Sequence, residues 1–385
     1  MKAPIPFGVS HLPLLLTCLI IGCGNALHSQ SLKLIFAGDI MVHDGQLRAA
    51  QQQDGTYNFT PSFRYVAPIL QEADLAIGNL ELTLPGHPPY AGYPNFRAPD
   101  TLAGSLQRAG FDVLVTANNH SNDSGRRGIM HTLEALNKRG LQYTGTFADS
   151  LERDTTYPLL LERKGFRLAL LNYTYGTNNP HIPAPCVVNG LDTIQMKLDL
   201  QRAHRQNPDL IIVYLHWGYE YHLTENKEQR RLTRQLFAWG ADLIIGAHPH
   251  VVQPVRLLQD FRGDELRRGL VAYSLGNFIS GQIRENTDLG LLLEVEITRH
   301  PVTGRVEISR HQYLPLWRHR GYTKGQRTYT VIPVSAFADQ GNDLLTPSDH
   351  RRMLTVTRRI RKHLRRFNSS ERVVSLPPWK NEKMQ

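Results

Sequence analysis

Six apolar runs in this chain end in the same way. Leu34-Ile35-Phe36-Ala37-Gly38 runs into Asp39, and Leu75-Ala76-Ile77-Gly78 into Asn79 and Glu81. Val113–Ala117 leads to Asn118, Asn119 and His120, and Ile211–Leu215 to His216. Leu243–Ala247 leads to His248 and His250, and Val271–Gly276 to Asn277. Short apolar runs bounded by turn residues read as buried strands. Arg167–Asn172 and Leu289–Ile297 are further strand candidates. Amphipathic stretches lie between many of them: Pro61–Glu72, Thr101–Ala109, Ile129–Arg139, Thr193–Arg205 and Lys227–Trp239. Alternating strands and helices predict an α/β fold with a substantial parallel component. Gly110 and Gly240 suit the left-handed position that follows a helix.

In open α/β sheets, ligands bind beyond the carboxyl ends of the strands, so folding gathers these polar groups on one rim. Gly38, Gly78 and Gly246 are expected to allow tight turns there. Asp and Glu supply anionic oxygen, Asn neutral oxygen and His neutral nitrogen, a mixture suited to Zn, Mn, Fe or Mg. About six such ligands are enough for two adjacent metals, which would clamp a phosphoryl or acyl oxygen and activate a water. A polar substrate pocket without metal is the alternative. His248-Pro249-His250 is the sharpest local signal, because strand alternation would put both imidazoles on one side and Pro249 stiffens the turn. His43, His87, His131, His222, His300 and His319 carry no such pattern.

The N-terminal residues read as an address. Leu12–Ile21 is almost wholly apolar, and at about ten residues it is too short to span a bilayer, which needs ~20. It fits the apolar core of a secretory signal over residues 1–22. The segment ends Ile20-Ile21-Gly22-Cys23, which resembles a bacterial lipobox, with Cys23 as the lipidated residue. With Cys18 cleaved off and Cys23 acylated, only Cys186 would remain, so no intramolecular disulfide is expected.

The net charge of +10 comes from 44 Lys+Arg against 34 Asp+Glu. Most of that excess sits in one place. Arg351, Arg352, Arg358, Arg359, Arg361, Lys362, Arg365 and Arg366 lie together without an acidic residue among them. Met353, Val356, Ile360, Leu364 and Phe367 recur at helical spacing, so a basic amphipathic helix is expected, with Ser348 able to cap it. Its apolar stripe would pack on the domain and leave a solvated basic face. Contact with anionic lipid or an anionic polymer is the alternative use of that face. A secretory signal excludes nucleic acid as the partner. One large domain is expected over 23–310, followed by a C-terminal extension over 311–385.

Six motifs then match, in order, those of CapA-type proteins, the bacterial poly-gamma-glutamate capsule biosynthesis proteins. They are Phe36-Ala37-Gly38-Asp39-Ile40-Met41, Gly78-Asn79-Leu80-Glu81, Ala117-Asn118-Asn119-His120, His216-Trp217-Gly218-Tyr219-Glu220-Tyr221, Gly246-Ala247-His248-Pro249-His250-Val251 and Tyr273-Ser274-Leu275-Gly276-Asn277-Phe278. That family in turn resembles the calcineurin-like metallophosphoesterases. The resemblance implies a metallophosphatase-like sandwich of two mixed β-sheets flanked by helices. It also implies that Asp39, Glu81, Asn119, His216, His248 and His250 hold one or two divalent ions. His120 would stand where those phosphatases place a general acid. Asn79, Asn118, Glu220 and Asn277 are expected to face substrate. In the Pro- and aromatic-rich segment Pro85–Pro99, one reading is a rim loop in which Arg97 pairs with a substrate carboxylate or phosphate, and the alternative is an ordinary Pro-rich loop packed by its own aromatics. Two departures stand out: Met41 replaces the His of the usual Asp-x-His opening, and Glu81 stands where a bridging Asp is usual.

The expected function is therefore that of a cell-envelope lipoprotein in synthesis, export or attachment of an anionic capsule polymer, by metal-assisted hydrolysis or transfer. Other capsule-synthesis proteins are expected partners. A periplasmic metallophosphoesterase and a non-catalytic polymer-assembly subunit are the alternatives.

Overall fold

A computed structural model describes Met1 and residues 30–375, apart from 263–264, 324, 340–343 and 368, and no side chain at 260–267, 323 or 367. The leader, the expected lipobox and Cys23 lie outside the described residues.

Two mixed sheets carry the fold. The larger has nine strands. Its central path runs Gln326–Pro333, Val306–Thr323, Leu289–Arg299, Gln30–Ile40, Leu75–Leu80, Val113–Val115, Gln142–Thr144. The last four of these are parallel to one another, and the first four are joined by antiparallel pairings. The second has six strands, with Glu265–Ala272, Leu243–Ala247, Leu210–His216 and Phe166–Thr174 parallel in the middle and an antiparallel strand at each edge.

The period of two along the strands sorts their side chains into layers. Leu32, Leu34 and Phe36 face the second sheet, where they share a core with Leu168, Leu170, Ile212 and Ile245. Ile35 and Ala37, between them, face a different core built with Leu102 and Leu106 of the helix Thr101–Ala109. On the far side of the second sheet, Met196 and Leu200 of Thr193–Arg205 and Leu232 and Leu236 of Lys227–Ala238 cover Ala169, Leu171 and Val213. Helices flank two stacked sheets, as expected. Gly110 and Gly240 end their helices with φ of 109° and 107°, a conformation that a Cβ would strain.

Three expectations need correction. Pro61–Glu72 is not one helix but two short ones, Thr60–Phe63 and Ala67–Gln71. Pro68 lacks the N–H that a continuous helix would need, and it starts the second helix instead. Residue 310, the expected domain boundary, lies inside the strand Val306–Thr323, which pairs along its length with Leu289–Arg299. The C-terminal helix, Pro347–Leu364, is capped by Thr346 rather than Ser348. The Thr346 side chain accepts from Asp349 N and Asp349 returns the bond, a capping box. That helix buries Met353, Val356, Ile360 and Leu364 and leaves its basic side outward, as its spacing predicts.

Candidate metal centre

The strand ends converge at one edge of the sandwich. Asp39 and Asn79 are near the ends of neighbouring parallel strands and sit in register with each other. Asn277, which opens the short strand Asn277–Ile279, is Asp39's partner on the other side. His216 closes the central strand of the second sheet, and Ala247 beside it in register leads to His248 and His250. The two sheets are tied just below this point, where the Tyr214 hydroxyl donates to the Ala37 carbonyl at 2.5 Å. Gly38 is required for close approach rather than for a turn: a Cβ there would meet the Gly276 carbonyl oxygen at 1.8 Å.

Asp39, Glu81, Asn119, His216, His248 and His250 all come together and are all buried. One set of ligand atoms from Glu81, His248 and His250 lies within 4.8 Å of one another, and so does a set from Asp39, Glu81 and His216. Glu81 belongs to both. The two histidines of the 248–250 segment meet through a turn, not through strand alternation. Both have left-handed backbones, φ 95° and 59°. Such conformations cost of order 1–3 kcal/mol each in a non-glycine residue, so the surrounding contacts must hold them. One such contact is from His248 N, which donates to the Asp39 carboxylate at 3.3 Å.

Hydrogen bonding divides these groups sharply. Asp39 accepts from Asn79 Nδ2 at 2.8 Å and from His250 Nδ1 at 3.0 Å. Because Asn277 Oδ1 also faces His250 Nδ1, at 3.1 Å, that nitrogen carries the proton. His250 Nε2 is left as the lone-pair nitrogen and stands 3.8 Å from Glu81 Oε1. A carboxylate behind a histidine fixes its tautomer in this way at many metal sites. His216 Nε2 lies 2.8 Å from Asn119 Oδ1 and 3.6 Å from Glu81 Oε1. By contrast, neither oxygen of Glu81 and not the Nδ1 of His248 has a partner among the described residues.

Burial and like charges set the protonation states. Burial first, and Asp39 next, push the Glu81 carboxyl well above its ordinary range. Burial, with His248 and His250 beside it, pushes His216 well down. Burial, with His250 beside it, brings His248 to about 3. His216 and His248 are therefore neutral, the form that ligates metal. A buried carboxyl group with no donor among the described residues, set beside His216, His248 and His250, is completed by a positive charge. The donor set fits a divalent cation.

Around this centre lies a cleft of about 890 Å³, lined in part by His43, Tyr93, Phe96, His120, Glu220 and Arg284. His120 stands at its edge. Its Nδ1 is 2.7 Å from Asp123 Oδ2, and Phe96 packs edge-on against the ring at 4.6 Å. The same Asp123 oxygen accepts from Phe96 N at 2.6 Å, so one carboxylate anchors both the loop and the histidine.

Of the groups expected to face substrate, only Glu220 lines the cleft. Asn79 spends both N–H bonds on Asp39 and His216. Asn118 donates to Asn79 and to the Leu80 carbonyl, and accepts from His120 N. Asn277 donates to Gln282 and to the Thr287 carbonyl. These three carboxamides hold the ligands in place from beneath. Arg97 is not among the residues lining the cleft, because its backbone bridges Ala91 and turns the loop there. Tyr93, Asn95 and Phe96 line it instead.

Several contributors carried no expectation. Asp123 lies three residues after His120, a spacing that could have pointed to it. The Tyr175 ring lies tilted against His248, with centroids 4.6 Å apart, and follows the strand Phe166–Thr174, a seventh strand exit. Asn178 Nδ2 sits 3.4 Å from His120 Nε2. His43 was expected to be unremarkable, yet it lines the cleft and burial lowers it to about 4.

Known proteins can now be set beside this geometry. A sequence profile described as "Bacterial capsule synthesis protein PGA_cap" matches residues 33–282. The capsule biosynthesis protein CapA of Bacillus anthracis is 30% identical over 264 residues, which are 66% of this chain and 61% of that protein. The PGA biosynthesis protein CapA of Bacillus subtilis (strain 168) is 27% identical over 287 residues, 71% of this chain and 70% of that one. Similar solved structures include a phosphatase from Mycoplasma pneumoniae, 16% identical, with a TM-score of 0.43 over 75% of this chain and 95% of that one. A calcineurin-like phosphoesterase of Bacillus subtilis, YfkN, is 9% identical, with a TM-score of 0.44 over 87% of this chain and 98% of that one. The profile match runs from the first strand through Asn277 and so takes in every strand end that builds the centre; the chain belongs to the PGA_cap family of bacterial capsule synthesis proteins.

Proposed function

We propose that this chain works at the cell envelope as a metal-dependent hydrolase or transferase on an anionic capsule-type polymer. The observation that carries the reading is Glu81. It is a fully buried carboxyl group with both oxygens unpartnered among the described residues, set among the imidazoles of His216, His248 and His250. Asp39, Glu81, Asn119, His216, His248 and His250 would hold one or two divalent ions. Such an ion supplies Lewis-acid polarisation of a phosphoryl or acyl oxygen and makes water nucleophilic at neutral pH.

The chain's own residues do the rest. Asn79, Asn277 and Asp39 orient the imidazoles before substrate arrives, so little reorganisation is needed at the reacting centre. Asp123 fixes His120 with Nδ1 inward, which leaves Nε2 as the nitrogen that passes a proton to a leaving group. Tyr175 covers His248 and narrows solvent access on that side. Export by the residue 1–22 leader and attachment through Cys23 belong to the same reading. Cys23→Ala would abolish lipid labelling, and unchanged labelling would refute the anchor.

The deciding experiment measures bound metal in the purified chain, then turnover of simple phosphoesters and of poly-gamma-glutamate. Metal binding with polymer cleavage or transfer is the expected result. Turnover of phosphoesters alone would move the assignment to a periplasmic phosphoesterase. Metal without turnover would favour an assembly role, and no metal after reconstitution would sink both catalytic readings.

A further inference from the structure

The basic face of the C-terminal helix is not uniform. Arg352 pairs with Asp288 at 2.7 Å, Arg359 with Glu285, and Arg361 with Glu371. Those arginines are neutralised and fasten the helix to its surroundings. Arg351, Arg358 and Lys362 are exposed and have no acidic partner among the described residues. At 100° per residue these three positions fall within about 40° of arc, a stripe roughly 17 Å long at 1.5 Å per residue. The stripe lies opposite Met353, Ile360 and Leu364, which are buried in the domain.

Through Arg351 the stripe borders a groove that lies beside the cleft loop. Gln282, Ile283 and Arg284 line the cleft on one side of a loop. The next two residues, Glu285 and Asn286, line a second groove of about 440 Å³, whose other wall is Arg351, Arg352, Thr355 and Arg359. Arg284 itself is held over the Tyr221 ring at 4.4 Å, at the cleft mouth. Five consecutive residues thus form a wall with the metal centre's cleft on one face and the basic helix on the other.

We propose that this groove and stripe form a track that binds an extended polyanionic chain and leads it past Arg284 to the cleft. It rests on the proposed function for the identity of the chain, and on the geometry above for its path. A row of unpaired cations several residues long recognises repeated negative charge, not a single anion. The groove and the cleft flank the same loop, an arrangement that suits a linear polymer. A lipid surface would gain nothing from that arrangement, and the apolar side of the helix is already buried and so cannot insert.

The test uses the full chain loaded with Mn²⁺ and fluorescently labelled poly-gamma-glutamate of graded length. In the parent, affinity should rise with length until the polymer spans helix and cleft, and should fall steeply with salt. The variant Arg351→Glu, Arg358→Glu, Lys362→Glu should bind long polymer at least tenfold more weakly, with a shallower salt dependence and a flattened length dependence. Its metal content and melting temperature, checked in parallel, guard against misfolding. Unchanged polymer affinity in a folded variant overturns the track. A second arm floats both proteins with vesicles of phosphatidylcholine containing phosphatidylglycerol. If charge reversal releases the vesicles and leaves polymer affinity intact, the face is a lipid contact and the track is overturned. Parent turnover with unchanged polymer affinity sinks the track alone. Lost polymer binding without any parent turnover supports the track and sinks the hydrolytic reading.

Discussion

The buried centre and the cleft rim are built on opposite electrostatic plans. At the centre, Glu81 has no hydrogen-bond partner among the described residues and His248 Nδ1 none either. At the rim, a few residues away along the same strand exit as Asn119, His120 has its inner nitrogen satisfied at 2.7 Å by Asp123. Leaving a buried carboxylate unpaired costs on the order of 1–3 kcal/mol or more. A fold tolerates that where another positive charge completes the site. Pairing a histidine with a carboxylate achieves the reverse: it fixes one tautomer and frees the other nitrogen for proton transfer. One chain segment, Asn119-His120, thus contributes one residue to each plan.

The largest effect should come from removing the centre's ligands. His248→Ala with His250→Ala should lose bound metal by elemental analysis and reduce turnover to background, while the His120–Asp123 pair stays intact. Turnover that survives this change would mean that the rim alone carries the chemistry, and the contrast would be void.

Next in size is the rim itself. His120→Ala should lower kcat by about 10²–10⁴, the range typical of a positioned general acid, with metal content unchanged. The deficit should shrink for substrates whose leaving groups need no proton. Loss of metal in this variant would place His120 in the centre instead. Asp123→Asn should cost less than His120→Ala and should distort the pH–rate profile, because the amide still fills the space but orients the imidazole differently. An identical profile would reduce Asp123 to a support for the Phe96 loop.

Much of the centre was legible because each strand presents its ligand one to three residues past a regular apolar run. Buried parallel strands are continuous in hydrophobicity, so Asp39, Glu81, His216 and His248 stand out against them. The supporting shell was hidden for the opposite reason. Asp123, Tyr175 and Asn178 come from loops, where no period marks them, and only tertiary folding sets them beside His120 and His248. Asn79, Asn118 and Asn277 were visible as polar strand ends, but sequence cannot tell a carboxamide that faces substrate from one spent beneath a ligand. The strands Val306–Thr323 and Gln326–Pro333 escaped notice because they alternate. Val306-Glu307-Ile308-Ser309 buries one face and wets the other, without the continuous apolar run that marks the central strands.

The smallest effect is also the cleanest separation of the two plans, because it is read without any substrate. In metal-free protein Glu81 is a liability whose sign can be worked out. Its folded pKa is raised well above the unfolded 4.5, so its contribution to stability is intact below about pH 4.5 and is lost as pH rises through the folded value. His216 and His248 act in the other direction. Their folded pKa values are depressed, to about 3 for His248, so their contribution is intact above the unfolded 6.5 and is lost as pH falls below it. Glu81→Gln removes the first term and leaves the second. In chelator at pH 8, the variant should melt a few degrees above the parent, in keeping with ~1–3 kcal/mol for an unpaired buried charge. The gap should close as pH falls toward 4.5. Adding metal should reverse the order, since only the parent gains the stabilisation of a bound ion, ~2.7 kcal/mol at a hundred times Kd. A variant that melts below the parent in chelator at pH 8 would mean that Glu81 has a protein partner after all, and the centre would then need no cation to explain it.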